Sequence, residues 1–179
     1  FRKRIRLAAS TSFVAKTFTT PQFEVSWHRH PEVELILLTE STGQCFIGNY
    51  AGQYAPGDIF LIGANLPHTF QKSGSQQASA FVVQFRDDFW GADLLSLPES
   101  REITELLETS LLGLRIHPDG KAILAPLLKQ LEHQTGFRRI LLLAECLQLL
   151  SERQNFAKLS TEYIRPLNKK EEARLDRIF

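Results

Sequence analysis

His28 and His30, in the run WHRHPEVE, stand two residues apart, so on an extended strand both imidazoles point to the same face. Glu34 follows four residues after His30, past Pro31, at the start of the apolar run VELILL. His68, in NLPHTF, comes just after the stretch PGDIFLIG. Three imidazoles and a carboxylate gathered at one point form a nitrogen and oxygen donor set suited to Zn, Fe(II), Mn or Ni, at roughly 2.0–2.2 Å. The same groups are equally suited to holding a polar group of a small molecule directly, or to a structural role at a barrel mouth. Glu34 argues for a site. It shares its strand alternation with Ile36 and Leu38 and would face the interior, where a carboxylate without partners is costly and two imidazoles would satisfy it.

The elements around these residues change character near residue 87. Before it, SFVAKTFT, QFEVSWH, VELILLT, QCFIGNY, DIFLIG, HTFQ and SAFVVQF read as seven strands at about ten-residue spacing. TTPQ, STG, YAPGD, GANLP and KSGSQQ supply the turns, with Pro56-Gly57-Asp58 a tight structural turn. Many short strands without intervening helices mean a sandwich or barrel. Alternation puts its wall among Phe46, Phe60, Ile62, Phe70, Phe81, Val83 and Phe85, and Trp27 and Trp90 in the core.

After residue 87 the spacing is helical. DDFWGADLLSL opens with acids that favour a helix start, SREITELLETSLLG carries Ile103, Leu106, Leu107 and Leu111 on one face and stops at Gly113, and LRIHPDG is a brief extended link. Two further helices, PDGKAILAPLLKQLEHQTG and GFRRILLLAECLQLLSERQNF, join near Gly136. From Phe137 to Leu150 only Arg138, Arg139, Glu145 and Gln148 are polar, an apolar surface wider than one packing face needs. It serves either a central position in a small bundle or a two-fold dimer interface, for which Leu143 and Leu147 are the expected contact residues. His117 and His133 read as surface residues. The organisation expected is a barrel over 1–86, a helical dimerisation segment over 87–158, and a linker with the start of a further domain over 159–179.

Composition bounds the function. The chain has 179 residues, 43% of them hydrophobic and 23% charged, as in an ordinary soluble globular protein. A net charge of +1 gives no electrostatic case for nucleic-acid binding by this chain alone. The apolar runs are short and interrupted by Glu or Gln, so no membrane span is expected, and FRKRIRLAAS lacks the apolar core of a signal peptide. Arg2, Lys3, Arg4 and Arg6 read as an arm over the barrel or a solvated terminus. Cys45 and Cys146 have no paired spacing and read as buried free thiols in a reducing cytoplasm. No methionine is present, even at position 1, so the native protein is expected to begin upstream.

The spacing His28-Arg29-His30, three residues, Glu34, then Pro56-Gly57-Asp58 and His68 resembles the two motifs of the cupin superfamily, although Gln22 and Phe23 stand where a motif glycine is common and the later glycine comes late, at Gly43. That resemblance implies a mainly β fold, a cupin-like β-barrel (double-stranded β-helix) followed by a C-terminal α-helical segment, with His28, His30, Glu34 and His68 as ligands to one divalent metal ion (Zn, Ni, Mn or Fe) or to the effector. With the helix pair, the chain resembles the N-terminal effector-binding and dimerisation half of AraC-family transcription regulators, and RPLNKKEEARLDRIF resembles the linker before that family's helix-turn-helix motifs. The resemblance implies a small-molecule effector in the barrel, a homodimer, and promoter DNA contacted by a C-terminal domain beyond Phe179 and not by this chain. No catalytic residue is implied. The alternative is a small metal-dependent cupin enzyme, a dioxygenase or isomerase using the same four ligands.

Overall fold

The run Val33–Leu38 is apolar at every position but Glu34 because both of its faces are covered. In a computed structural model of the protein, which describes residues 11–21, 26–74, 77–91, 93–153 and 155–163, it forms β2 (Val33–Glu40). Around it stand β1 (Val14–Thr20), β3 (Gly43–Ile47), β4 (Tyr50–Tyr54), β5 (Ile59–Ile62), β6 (His68–Lys72), β7 (Ala78–Phe85), β8 (Leu114–Ile116) and β9 (Phe156–Lys158), with helices α1 (Arg101–Thr109), α2 (Pro118–His133) and α3 (Gly136–Arg153). Two antiparallel sheets result, one ordered β1-β7-β2-β5-β8-β9 and the other β4-β3-β6. Between them lies an inner core of Ile36, Leu38, Ile47, Phe60, Ile62 and Phe70 with their neighbours. The other face of the larger sheet carries Leu35, Leu37, Leu61, Phe81, Val83 and Phe85 and packs on all three helices.

Several expectations change at this level. QCFIGNY is not one strand, because Gly48 takes a φ of 57° and, with Asn49, makes a two-residue hairpin turn between Ile47 and Tyr50. DDFWGADLLSL is not a helix. Its described residues form turns and a short 3-10 segment at Leu94–Ser96. The extended link is β8, which pairs with β5, and the end of the last predicted helix is β9, so the larger sheet crosses the composition change at residue 87. Of the expected wall residues only Phe60, Ile62 and Phe70 face the inner core, whereas Phe81, Val83 and Phe85 face the helices and Phe46 lies outside both clusters. Trp27 is 46% exposed rather than buried. The 22–25 part of QFEVSWH, the basic arm and the tail from 164 onward fall outside the described residues.

Leu143 and Leu147 are fully buried inside the chain and belong to the outer core. They are therefore not interface residues, and truncating either to Ala would cost about 2–5 kcal/mol of stability. The exposed apolar residues of α3 are Phe137 and Leu141. Among the described residues no helix is long and apolar enough to cross a membrane. Cys45 and Cys146 are buried free thiols.

The Pro56-Gly57-Asp58 turn ties the barrel to the helices. Asp58 N–H donates to Ala55 O at 3.0 Å, with Pro56 and Gly57 between them, and Gly57 takes a φ of 88°, the arrangement of a type II turn. The buried Asp58 carboxylate accepts from Arg115 of β8 at 2.7 Å, from Lys121 of α2, and from Ala55 N–H at 2.9 Å. Burial pushes this carboxyl up, but the Lys121, Ala55 and Arg115 contacts outweigh it and hold it below its ordinary 3.8. A depressed folded value gives stability that is whole above the ordinary value and lost as pH falls through the folded one. Asp58→Asn should thus lower stability near neutral pH by about 1–2 kcal/mol, a buried pair discounted for its part-exposed partners. Thermal melts should show the gap to the unaltered protein narrowing as pH falls below the ordinary 3.8 of this carboxyl.

Candidate metal and effector site

The site forms where the chain crosses from the small sheet to the large one. His28 pairs with His68 in a single antiparallel bridge, N–H to O both ways at 3.2 and 2.9 Å, which adds His28 to the edge of β6. Six residues later Glu34 is in β2, opposite Ile62 on one side and Gln84 on the other. His30 sits on the crossing segment, its carbonyl accepting from Asn65 N–H at 2.8 Å. The structure thus brings together all four residues singled out by spacing, and all four are buried.

The three rings are oriented by the backbone. Nδ1 of His28 lies 3.0 Å from Ser26 O, that of His30 lies 3.0 Å from Glu32 O, and that of His68 lies 2.8 Å from Leu66 O. A carbonyl only accepts, so each Nδ1 carries a proton and each Nε2 is the nitrogen turned to the centre. Each histidine offers one ring nitrogen within 4.8 Å of those of the other two. Glu34 closes the fourth side, with Oε2 at 3.2 Å from His30 Nε2 and Oε1 at 3.8 Å from His68 Nε2.

Charge is distributed unevenly. Burial, then the neighbouring His68, pushes His28 down to about 4, and burial also lowers His68. Burial opposes charge on His30 as well, but the hydrogen bond and charge of Glu34 outweigh it and raise this imidazole. Glu34 is pulled low by the same pairing despite its own burial. The pairing with Glu34 thus favours the charged form of His30, whereas burial favours the neutral forms of His28 and His68.

This donor set fits a divalent cation. His68 Nε2 is buried with no hydrogen-bond partner, an arrangement that costs about 1–3 kcal/mol unless something accepts its lone pair. A cation there would be held by the three imidazole nitrogens, with the Nδ1–carbonyl bonds as the outer supports that ligating histidines need, while Glu34 borders this group on the His30 and His68 side.

Gln84 is the site residue that the sequence reading missed. Its Nε2 donates to Glu34 Oε2 at 2.5 Å and lies 3.2 Å from His30 Nε2. The signal was a lone amide on the alternation Ala80, Val82, Gln84. Because β7 is buried along its whole length, apolar content did not reveal which alternation faced inward.

The comparisons agree with the fold. A family model described as the AraC-like ligand binding domain matches residues 11–150, and the chain belongs to that family. Among solved structures, ToxT from Vibrio cholerae bound to (E)-4-(8-methylnaphthalen-1-yl)but-3-enoic acid is 13% identical, with a TM-score of 0.52 over 92% of this chain and 64% of that one. An apo ToxT variant from the same species is 10% identical, with a TM-score of 0.53 over the same shares. This chain therefore spans just under two thirds of ToxT. A cupin 2 conserved barrel domain protein from Salinispora arenicola matches 52% of this chain and 77% of its own at 12% identity and a TM-score of 0.33. No curated protein matches the chain. The two antiparallel sheets and the family match make the fold the mainly β barrel of an AraC-like ligand binding domain with C-terminal helices.

The ring orientations are directly measurable. In protein stripped of metal at neutral pH, two-bond nitrogen–proton NMR correlations should show His28 and His68 as neutral rings protonated on Nδ1. Protonation of both on Nε2 would contradict the backbone tethers.

Proposed function

We propose that this chain is the effector-sensing half of an AraC-type transcriptional regulator. A small molecule binds at the buried end of the barrel, through a divalent ion (Zn, Ni, Mn or Fe) held by His28, His30, Glu34 and His68 or on those groups directly. Its occupancy controls DNA binding by a C-terminal helix-turn-helix domain of the full-length cytoplasmic protein. The match to the ligand-binding family over residues 11–150 carries this reading. The buried convergence of imidazoles supplies its chemistry, since a bound ion would provide a positive centre for an oxygen or nitrogen donor of the effector.

The experiment has two arms. This chain alone should not shift duplex DNA at about 150 mM salt, because its charges nearly cancel and counterion release needs clustered cations. The full-length protein should shift a promoter fragment with two half-sites, and substituting His30 and His68 by Ala should change how that shift responds to ligand. In the second arm, elemental analysis should find one divalent ion per chain, lost in the His30→Ala, His68→Ala double variant, whose circular dichroism keeps the folded shape while its melting temperature falls because Glu34 loses two of its partners. Metal-free protein that still senses its ligand would leave the pocket and remove the ion.

The enzyme reading draws on the same ligands, and the unpartnered His68 Nε2 is the observation in its favour. We favour the sensor because the barrel shares one continuous core with three helices, and α3 presents Phe137, 70% exposed, and Leu141, 46% exposed, on its outer side. These two residues are our proposed contact with a second copy in a homodimer. Replacing both with Glu should convert a dimer to a monomer in sedimentation, with stability changed by no more than about 0.5 kcal/mol for each surface substitution.

A further inference from the structure

The two oxygens of Glu34 are treated differently by the barrel. Oε2 is taken by Gln84 Nε2 at 2.5 Å and by His30 Nε2 at 3.2 Å, whereas Oε1 lies 3.8 Å from the unpartnered His68 Nε2. Gln84 is opposite Glu34 in the β2–β7 register, so the sheet itself fixes the distance between the two side chains. Both are buried on the inner face, where no solvent competes for the amide hydrogen.

We propose that Gln84 is a positioning residue for the ion site, holding Glu34 Oε2 by its amide N–H so that the carboxylate reaches a bound divalent ion through Oε1 alone. The inference rests on the reading of the three histidines and Glu34 as an ion site. A carboxylate with both oxygens free can chelate and fill two coordination positions, whereas one with an oxygen tied down fills a single position. With Oε2 held, the carboxylate would offer a bound ion one oxygen beside the three imidazole nitrogens, leaving room for an effector donor atom. The approach of Gln84 to His30 does not compete. Once His30 Nε2 gives its lone pair to an ion it accepts nothing, and the amide hydrogen is left to Glu34.

Gln84→Met keeps the length and volume of the side chain and removes the N–H. Metal-stripped chain would be titrated with Co(II), reading visible absorption for coordination and chelator competition for affinity. The Met variant should bind Co(II) about 10–100-fold more weakly, as outer-shell changes do, and with an altered absorption band. A second measurement needs no variant. In the unaltered protein the carboxylate stretches of ion-bound Glu34, assigned by isotope labelling, should show the wide separation of one-oxygen binding. An unchanged Co(II) spectrum and affinity in the Met variant, or stretches typical of chelation in the unaltered protein, would overturn the role of Gln84 while leaving the ion site standing. Failure of the unaltered chain to take up Co(II) would remove both.

Discussion

Everything in this chain depends on a single antiparallel sheet clothed on both faces. Along β2 the odd positions Leu35 and Leu37 enter the core shared with the helices, and the even positions Ile36 and Leu38 enter the core enclosed by the smaller sheet. The sheet completes itself with β8 and β9, both supplied by the helical half. The helices are therefore part of the barrel's own stability, since without them the outer face of β2, β5 and β7 would stand in water. On the inner face the same closure leaves no water for a charged group. Glu34 can sit there only because His30, His68 and Gln84 surround it.

That two-sided burial explains what was legible in the sequence. The four clustered residues could be singled out because polar residues in apolar runs stand out, and the limits of α1 and α2 could be found because stop signals such as Gly113 are local. Strand parity could not be found. In β7 every residue from Ala78 to Phe85 is buried, so Phe81, Val83 and Phe85 looked like the wall and Gln84, on the other alternation, drew no notice. The all-apolar look of α3 misled for a related reason. Its buried residues Leu142, Leu143, Cys146, Leu147 and Leu150 belong to the core shared with the sheet and the other helices, Ile140 and Leu149 are half-buried, and Phe137 and Leu141 are exposed. Apolar width measures how much is covered, not by what.

The histidine cluster owes its shape to backbone, not to its members' attraction for one another. Each ring is pinned through Nδ1 to a carbonyl two residues away in the chain, and His28 is further pinned by its bridge to His68. Burial first, and the nearness of the other imidazoles after it, lowers His28 and His68, and only His30, next to Glu34, is raised. The fold bears that cost at one end of the barrel and nowhere else, a distribution typical of a site kept for function.

The same strands connect the site to the place where the described chain ends. β6 carries His68 and pairs with β3 at Ile47, and the next residue along, Gly48, donates to Pro67 O at 2.9 Å. Asn49, at the tip of that hairpin, holds the exit segment by three hydrogen bonds: its amide donates to Thr161 Oγ1 at 2.9 Å, and its Oδ1 accepts from Ser160 Oγ at 2.8 Å and from Thr161 N–H at 3.1 Å. β6 is thus joined through the Gly48–Pro67 bond and the Asn49 side chain to residues 160–161. Only one hairpin turn therefore separates a histidine of the site from residues 160–161.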